Sequence, residues 1–189
     1  MTVESLAAQL AAFHPGCPQE EADRAEMLCF LQTHKKALLR EDETGHFTAS
    51  AWIVDPARER VLMAYHNIYR AWTWIGGHAD GDADLMRVAL RETLEETGAV
   101  GAHPVVPDIF SVEILPVPAH TRRGVFVPEH MHLNVTYLLE VAPDAPLRAK
   151  PDENSGVRWR PLAQVEQDST EPCMLPVYRK LVSRVRALR

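Results

Sequence analysis

The chain is poor in sulfur pairs, in long apolar runs and in excess positive charge, and each shortage removes a class of function. Its three cysteines, Cys17, Cys29 and Cys173, are odd in number and scattered with no Cys-x-x-Cys pair, which excludes a disulfide framework and a thiolate zinc knuckle. No stretch approaches the roughly 18 consecutive apolar residues of a membrane span. Met1 to Phe13 has no basic start followed by an apolar block, so a cytoplasmic protein without a membrane partner is expected. The balance is acidic, with a net charge of -6 and a pI near 5.8, and an acidic surface repels an extended nucleic-acid backbone. Hydrophobic residues at 46% and charged residues at 24% are ordinary for a globular chain, and 189 residues suffice for one domain with some extra helix.

What is present falls into an ordered series of elements. Leu6, Leu10 and Phe13 recur at helical spacing before His14-Pro15-Gly16, and a second helix is predicted from Gln19 towards Leu38, with Glu20 and Glu21 early where the helix dipole favours acids. From His46 onward the pattern changes to strands. Phe47 to Val54 and Arg60 to His66 flank Asp55-Pro56-Ala57-Arg58 and predict a hairpin. Trp72 to Ile75 predicts a short strand ended by Gly76-Gly77, and a helix from about Ala83 to Thr97 is closed by Gly98. Asp108 to Leu115 and His130 to Val141 are further strands, joined by a long loop, Pro116 to Glu129. Val157 to Trp159 is a short strand, Pro161 to Val165 begins a small helix, and Met174 to Leu188 makes the last one. Helices, then strands around one central helix, then helices again point to an α+β fold with a mixed sheet between helices.

Chemistry concentrates on the central helix. Glu95 and Glu96 follow Glu92 by three and four residues, so all three carboxylates share a helical face. The same face runs back through Ala89, Val88 and Leu85, an apolar row that should turn towards the protein. Three acids near a helix C-terminus repel one another and the dipole, and Arg91 offsets only part of that charge. A hard divalent cation would offset the rest.

Gly76-Gly77, the acidic turn and Arg91-Glu92-Thr93-Leu94-Glu95-Glu96-Thr97-Gly98 resemble the box of the Nudix hydrolases, closely over Gly77 to Ala99 and more loosely from Thr48 to Val165. The resemblance implies a Nudix-like α/β/α sandwich over residues 46–189, preceded by an N-terminal helical extension over 1–45. It implies a hydrolase that uses Mg2+, with Mn2+ as a substitute, to cleave a diphosphate linkage in a small nucleotide-like substrate. It also implies Glu92, Glu95 and Glu96 as metal ligands with a carbonyl from Gly77, Arg91 as their orienting residue, and Glu92 or Glu96 as base. Glu153, in the loop before the last strand, is a further candidate base. One slot departs from the box: five residues beyond Gly77 stands Ala83 where the family has glutamate, flanked by Asp82 and Asp84. That gap leaves a second reading open, a Nudix-fold binding or regulatory module with weak hydrolysis. A Nudix-like isomerase is disfavoured because none of the three cysteines matches its catalytic one.

Other groups carry weaker signals. Asp80, Asp82 and Asp84 alternate as in a calcium loop, but Leu85 and Arg91 occupy its glycine and glutamate positions, so the acids read as helix-start residues. Arg122 and Arg123 could fork onto phosphate, and Trp74 could stack on a base. His130 and His132 point to one side of a strand and, with His78 or His120, could bind zinc, though packing or substrate contact is favoured. The N-terminal helices offer either a cover for the sheet or a homodimer surface.

Overall fold

The computed structural model describes residues 1–122 and 124–188. Its helices are α1 (Val3–Ala12), α2 (Pro18–Thr33), α3 (Leu85–Thr97), α4 (Val165–Asp168) and α5 (Leu175–Ala187). The strands are β1 (Gly45–Val54), β2 (Arg60–His66), β3 (Ala71–Thr73), β4 (Ile75–His78), β5 (His103–Pro104), β6 (Ser111–Val117), β7 (His120–Arg122), β8 (Val125–Val127), β9 (His130–Glu140) and β10 (Asn154–Pro161). Hydrogen-bonded neighbours run β10-β2-β1-β9-β5, with β3 on β2, β4 on β1 and β6 on β9, and β7 pairs with β8 alone. The chain is therefore α+β as expected, a mixed sheet with flanking helices and a helical N-terminal segment. Among the described residues no helix is long and apolar enough to cross a membrane.

The chain forms two compact units. One comprises residues 1–50, 77–88 and 108–136. Its α1 opens on a capping box in which Thr2 and Ser5 satisfy each other's amides. Its α2 is shorter than predicted: it stops at Thr33, where the His34 ring stacks on Phe30 at 3.7 Å. Ala37 and Leu38 are buried, and their carbonyls accept the amides of Phe47 and Gly81, so their apolar character serves a tight turn rather than more helix. Glu20 is not a solvated dipole acid. It is buried and accepts from the Gly16 amide (2.7 Å) and the Ser111 hydroxyl (2.9 Å). Two more side chains of α2 reach β6, where Gln19 donates to the Val112 carbonyl (3.1 Å) and Asp23 accepts from the Ile114 amide (2.8 Å).

β6 pairs antiparallel with β9 from Ser111↔Thr136 to Val117↔His130. Beneath this ladder lies a buried polar network. Asn134 and Thr136 donate to Glu113, which also lies against the single hydroxyl proton that Ser111 shares between it and Glu20, while Thr48 and Ser50 donate to the Asn134 carbonyl oxygen. The stretch read as one long loop, Pro116 to Glu129, contains the β7-β8 hairpin instead.

The other unit comprises residues 51–76, 89–107 and 137–189. The predicted hairpin is present, with Ile53↔Leu62 and Val54↔Val61 in register. Asp55 makes its turn: the buried carboxylate accepts the amides of Glu59 (2.8 Å) and Arg60 (3.0 Å) and the Arg60 Nε (2.9 Å), while Arg58 takes a positive φ of 56°. β10 joins β2 antiparallel, from Asn154↔His66 to Pro161↔Arg60 with one irregularity. The core here is built on Trp52, whose ring stacks on Tyr178 at 5.6 Å, and on the buried stripe Val177, Tyr178, Leu181, Val182 and Val185 of α5.

Candidate active site

α3 ends as its sequence dictates. Gly98 adopts φ 68°, the left-handed geometry of a helix C-cap, and a Cβ there would meet Cβ of Arg148 at 3.1 Å. The Thr97 carbonyl accepts the Arg148 amide at 2.7 Å, so the loop leading to Lys150 is fastened to the carboxylate end of the helix. The apolar row is real: Leu85, Val88 and Ala89 are fully buried. Thr93, also buried, donates its hydroxyl to the Ala89 carbonyl at 2.8 Å, which satisfies that polar group within the buried face.

The three glutamates separate by burial. Glu92 is 13% exposed at its side chain, Glu95 46%, and Glu96 only 5% overall. Arg91 donates to Glu92 at 3.1 Å and stands 3.9 Å from Glu95. Glu96 Oε1 accepts the Gly76 amide at 3.0 Å. Lys150 joins the cluster from the far loop, 3.4 Å from Glu95 and 3.0 Å from Glu153. Asn154 is buried and donates to the Glu96 carbonyl at 3.0 Å. Glu92, Glu95, Glu96, Arg91 and Glu153 are thus brought together.

The electrostatics follow from this burial. Desolvation pushes the Glu96 carboxyl up to about 8; the Gly76 amide opposes the rise, Glu92 and Glu153 add to it, and Lys150 opposes it weakly. Burial also raises Glu92, against the pull of Arg91.

The remaining candidates are placed differently. The strand predicted from Trp72 to Ile75 and ended by the glycine pair is instead split at Trp74 into β3 and β4, and Gly76 and Gly77 lie inside β4 with ordinary φ, Gly76 turning its amide to Glu96. Trp74 is half-buried, edge-on to Tyr178 at 6.0 Å. Arg123 lies outside the described residues, and so does the side chain of Arg122. Ala83 is buried, and its neighbours are engaged at the helix start: Asp82 is paired with Arg87 at 2.7 Å, and Asp84 accepts the Arg87 amide at 3.1 Å. Asp80 forms a two-point ion pair with Arg40, both contacts at 2.6 Å.

Lys150, Asn154 and the Gly76 amide were not singled out in the sequence. Lys150 stands three residues before Glu153, which is a charge-pair spacing, but nothing local ties it to residue 95.

The sequence model of the NUDIX domain family matches residues 44–181. A search of curated proteins finds no match. Among solved structures, a NUDIX-family hydrolase from Clostridium perfringens is similar with a TM-score of 0.53 and 16% identity, covering 76% of this chain and 98% of that one. An Ap4A hydrolase of C. elegans, solved as a binary complex, gives 0.53 and 16% over 75% and 98%. The M. smegmatis Nudix hydrolase RenU gives 0.52 and 15% over 76% and 86%. With the domain matched over most of the chain, and a helix whose end carries Arg91, Glu92, Glu95 and Glu96, the chain belongs to the Nudix hydrolase family.

Proposed function

We propose that this protein is a metal-dependent hydrolase that cleaves a diphosphate linkage in a nucleoside diphosphate joined to another moiety, by attack of water at phosphorus. The observation that carries this reading is Glu96, a buried carboxylate pushed up to about 8 in a cluster with Glu92, Glu95 and Glu153. The donor set fits a hard divalent ion, because every side chain that would hold it offers carboxylate oxygen. Glu92, Glu95 and Glu96 would hold Mg2+, or Mn2+ in its place, and the Gly77 carbonyl joins them by family resemblance. When bound, the ion supplies a Lewis acid for the phosphoryl oxygen and lowers the pKa of water.

The chain's own residues supply the rest. Arg91 fixes Glu92 and Glu95 in one orientation, and the Gly76 amide fixes Glu96. Glu96 is assigned to take the proton of the attacking water, with Glu153 as the second acceptor, since both carboxylates stand in the same cluster. Lys150 holds Glu153 and Glu95 on one cation. Arg122 and Arg123 are assigned to substrate phosphate and the exposed part of Trp74 to base stacking. The reading goes with a cytoplasmic nucleotide substrate.

The test is Mg2+-dependent release of phosphate or nucleoside monophosphate from nucleoside triphosphates, ADP-ribose, dinucleoside polyphosphates and sugar-linked diphosphates. The likeness to a protein named an Ap4A hydrolase puts dinucleoside polyphosphates first on that panel. Turnover must vanish in Glu96→Gln, and Trp74→Leu must raise KM while leaving kcat. No turnover on any substrate overturns the hydrolase reading and favours the binding-module reading, which the buried Ala83 in the family's glutamate slot supports.

A further inference from the structure

We infer that His46, His130 and His132 form a metal site built of imidazole nitrogens, suited to a transition-metal ion of the zinc class. The chain assembles it from distant parts. His130 and His132 alternate on β9 and so point to one side, and His46 comes from β1. One ligand nitrogen from each lies within 4.8 Å of the other two. The ring of His46 is 5.0 Å from that of His130 and 5.1 Å from that of His132, with His130 and His132 5.2 Å apart. His78, on β4, adds a fourth imidazole 5.0 Å from His46 and 4.9 Å from His132. His120 is more remote, 6.3 Å from His130.

The hydrogen bonds prepare these rings as ligands. His130 Nδ1 donates to the Pro128 carbonyl at 2.9 Å, and His46 Nδ1 to the Asp42 carbonyl at 3.4 Å. A carbonyl can only accept, so each Nδ1 carries the ring proton and each Nε2 is left with a lone pair, the second-sphere pattern of metal-binding histidines. Nε2 of His46 and Nε2 of His132 are buried without a hydrogen-bond partner. Histidines that merely pack in a core satisfy such atoms, because a buried acceptor left unmade is costly. His46 is 4% exposed and His130 7%. Arg40, the cation near the cluster, has its charge matched by Asp80.

The chemistry selects the ion. Imidazole nitrogen binds zinc, nickel, copper and iron, whereas magnesium prefers oxygen. Three histidines with one position left for water or an anionic ligand is an arrangement zinc adopts. Metal-nitrogen bonds of about 2.0 to 2.1 Å in a tetrahedron need nitrogens about 3.3 to 3.4 Å apart, so no pair has to draw in by more than about 1.5 Å on binding.

Untagged full-length protein, stripped with chelator and desalted, should bind one equivalent of Zn2+ in saturating Mg2+, read by competition with a chromogenic chelator. His130→Gln and His132→Gln should each weaken that binding at least about 100-fold, beyond the loss typical of outer-shell partners. Glu92→Gln should leave it unchanged. The zinc K-edge spectrum of the wild type should show outer-shell scattering from three imidazoles, which decides the matter even if a histidine variant fails to fold. No Mg2+-resistant equivalent in the wild type, a carboxylate-only spectrum, or full retention of zinc by folded histidine variants overturns the site.

Discussion

Replacing Glu96 with glutamine should make the protein more stable and inactive. The carboxyl ordinarily titrates at 4.5 and is raised to about 8 in the fold, and this gap at 1.36 kcal/mol per pH unit is about 5 kcal/mol. The folded state binds this proton more tightly than the unfolded chain. Stability from Glu96 is therefore full below about pH 4.5 and is lost as pH rises through about 8. Glutamine keeps the oxygen that accepts the Gly76 amide but carries no charge to desolvate. In chelator at about pH 9, Glu96→Gln should exceed the wild type by a sizeable part of that 5 kcal/mol, and at about pH 4 the two should converge. Urea unfolding at about pH 4, 7 and 9, with and without Mg2+, measures this. Saturating Mg2+ should raise the wild type more than the variant, because the ion takes the proton's place on Glu96 and the variant keeps only Glu92 and Glu95 to hold it. A wild type and variant that lose stability in parallel with pH would refute the reasoning, as would a variant that still turns over substrate.

Asp55→Ala should cost about 2 kcal/mol by urea unfolding, since three donors lose their acceptor. Burial works against the Asp55 charge, but the amides of Arg60 and Glu59 and the Arg60 guanidinium outweigh it and hold the carboxyl below the usual range. Its contribution should thus be present above about pH 4 and disappear as pH falls further, a dependence the variant lacks. Lys150→Met should change unfolding free energy by no more than about 1 kcal/mol, because the pairs are partly solvated, yet lower the Mg2+ concentration for half-maximal activity by freeing Glu95. Ala83→Glu, which restores the family's glutamate, should destabilise by about 2 kcal/mol or more, because the position is buried and Arg87 is already held by Asp82; thermal unfolding reads it.

The legible parts of the fold are those where local pattern and tertiary demand coincide. β2 matches its expected bounds, because a turn sequence and a β-prone run agree, and α3 matches at its C-terminus while starting two residues later than expected, because its apolar row leads straight into its carboxylates. The Glu92, Glu95 and Glu96 cluster needed only helical spacing, though spacing could not foresee that Glu95 would stay largely in solvent. Lys150 and Asn154 were illegible because they arrive from a loop and from the first residue of β10, each more than fifty residues from its partner. The same holds for His46, which meets His130 only through strand placement. Glycine weakens a strand by propensity, so the sequence places a strand end at Gly76-Gly77, whereas the break falls at Trp74 and the missing side chain of Gly76 lets its backbone amide approach Glu96.

The contacts from α2 to β6 bear on how this protein can be trimmed. The family match begins at residue 44, which invites expression of a shortened domain. Gln19 and Asp23 occupy the outward carbonyl of Val112 and amide of Ile114, and Glu20 accepts from Ser111. A chain started at residue 44 would present those backbone groups as an open strand, ready to recruit another copy by β-pairing. Loss of solubility in such a fragment would then report a missing edge guard, not a missing catalytic part.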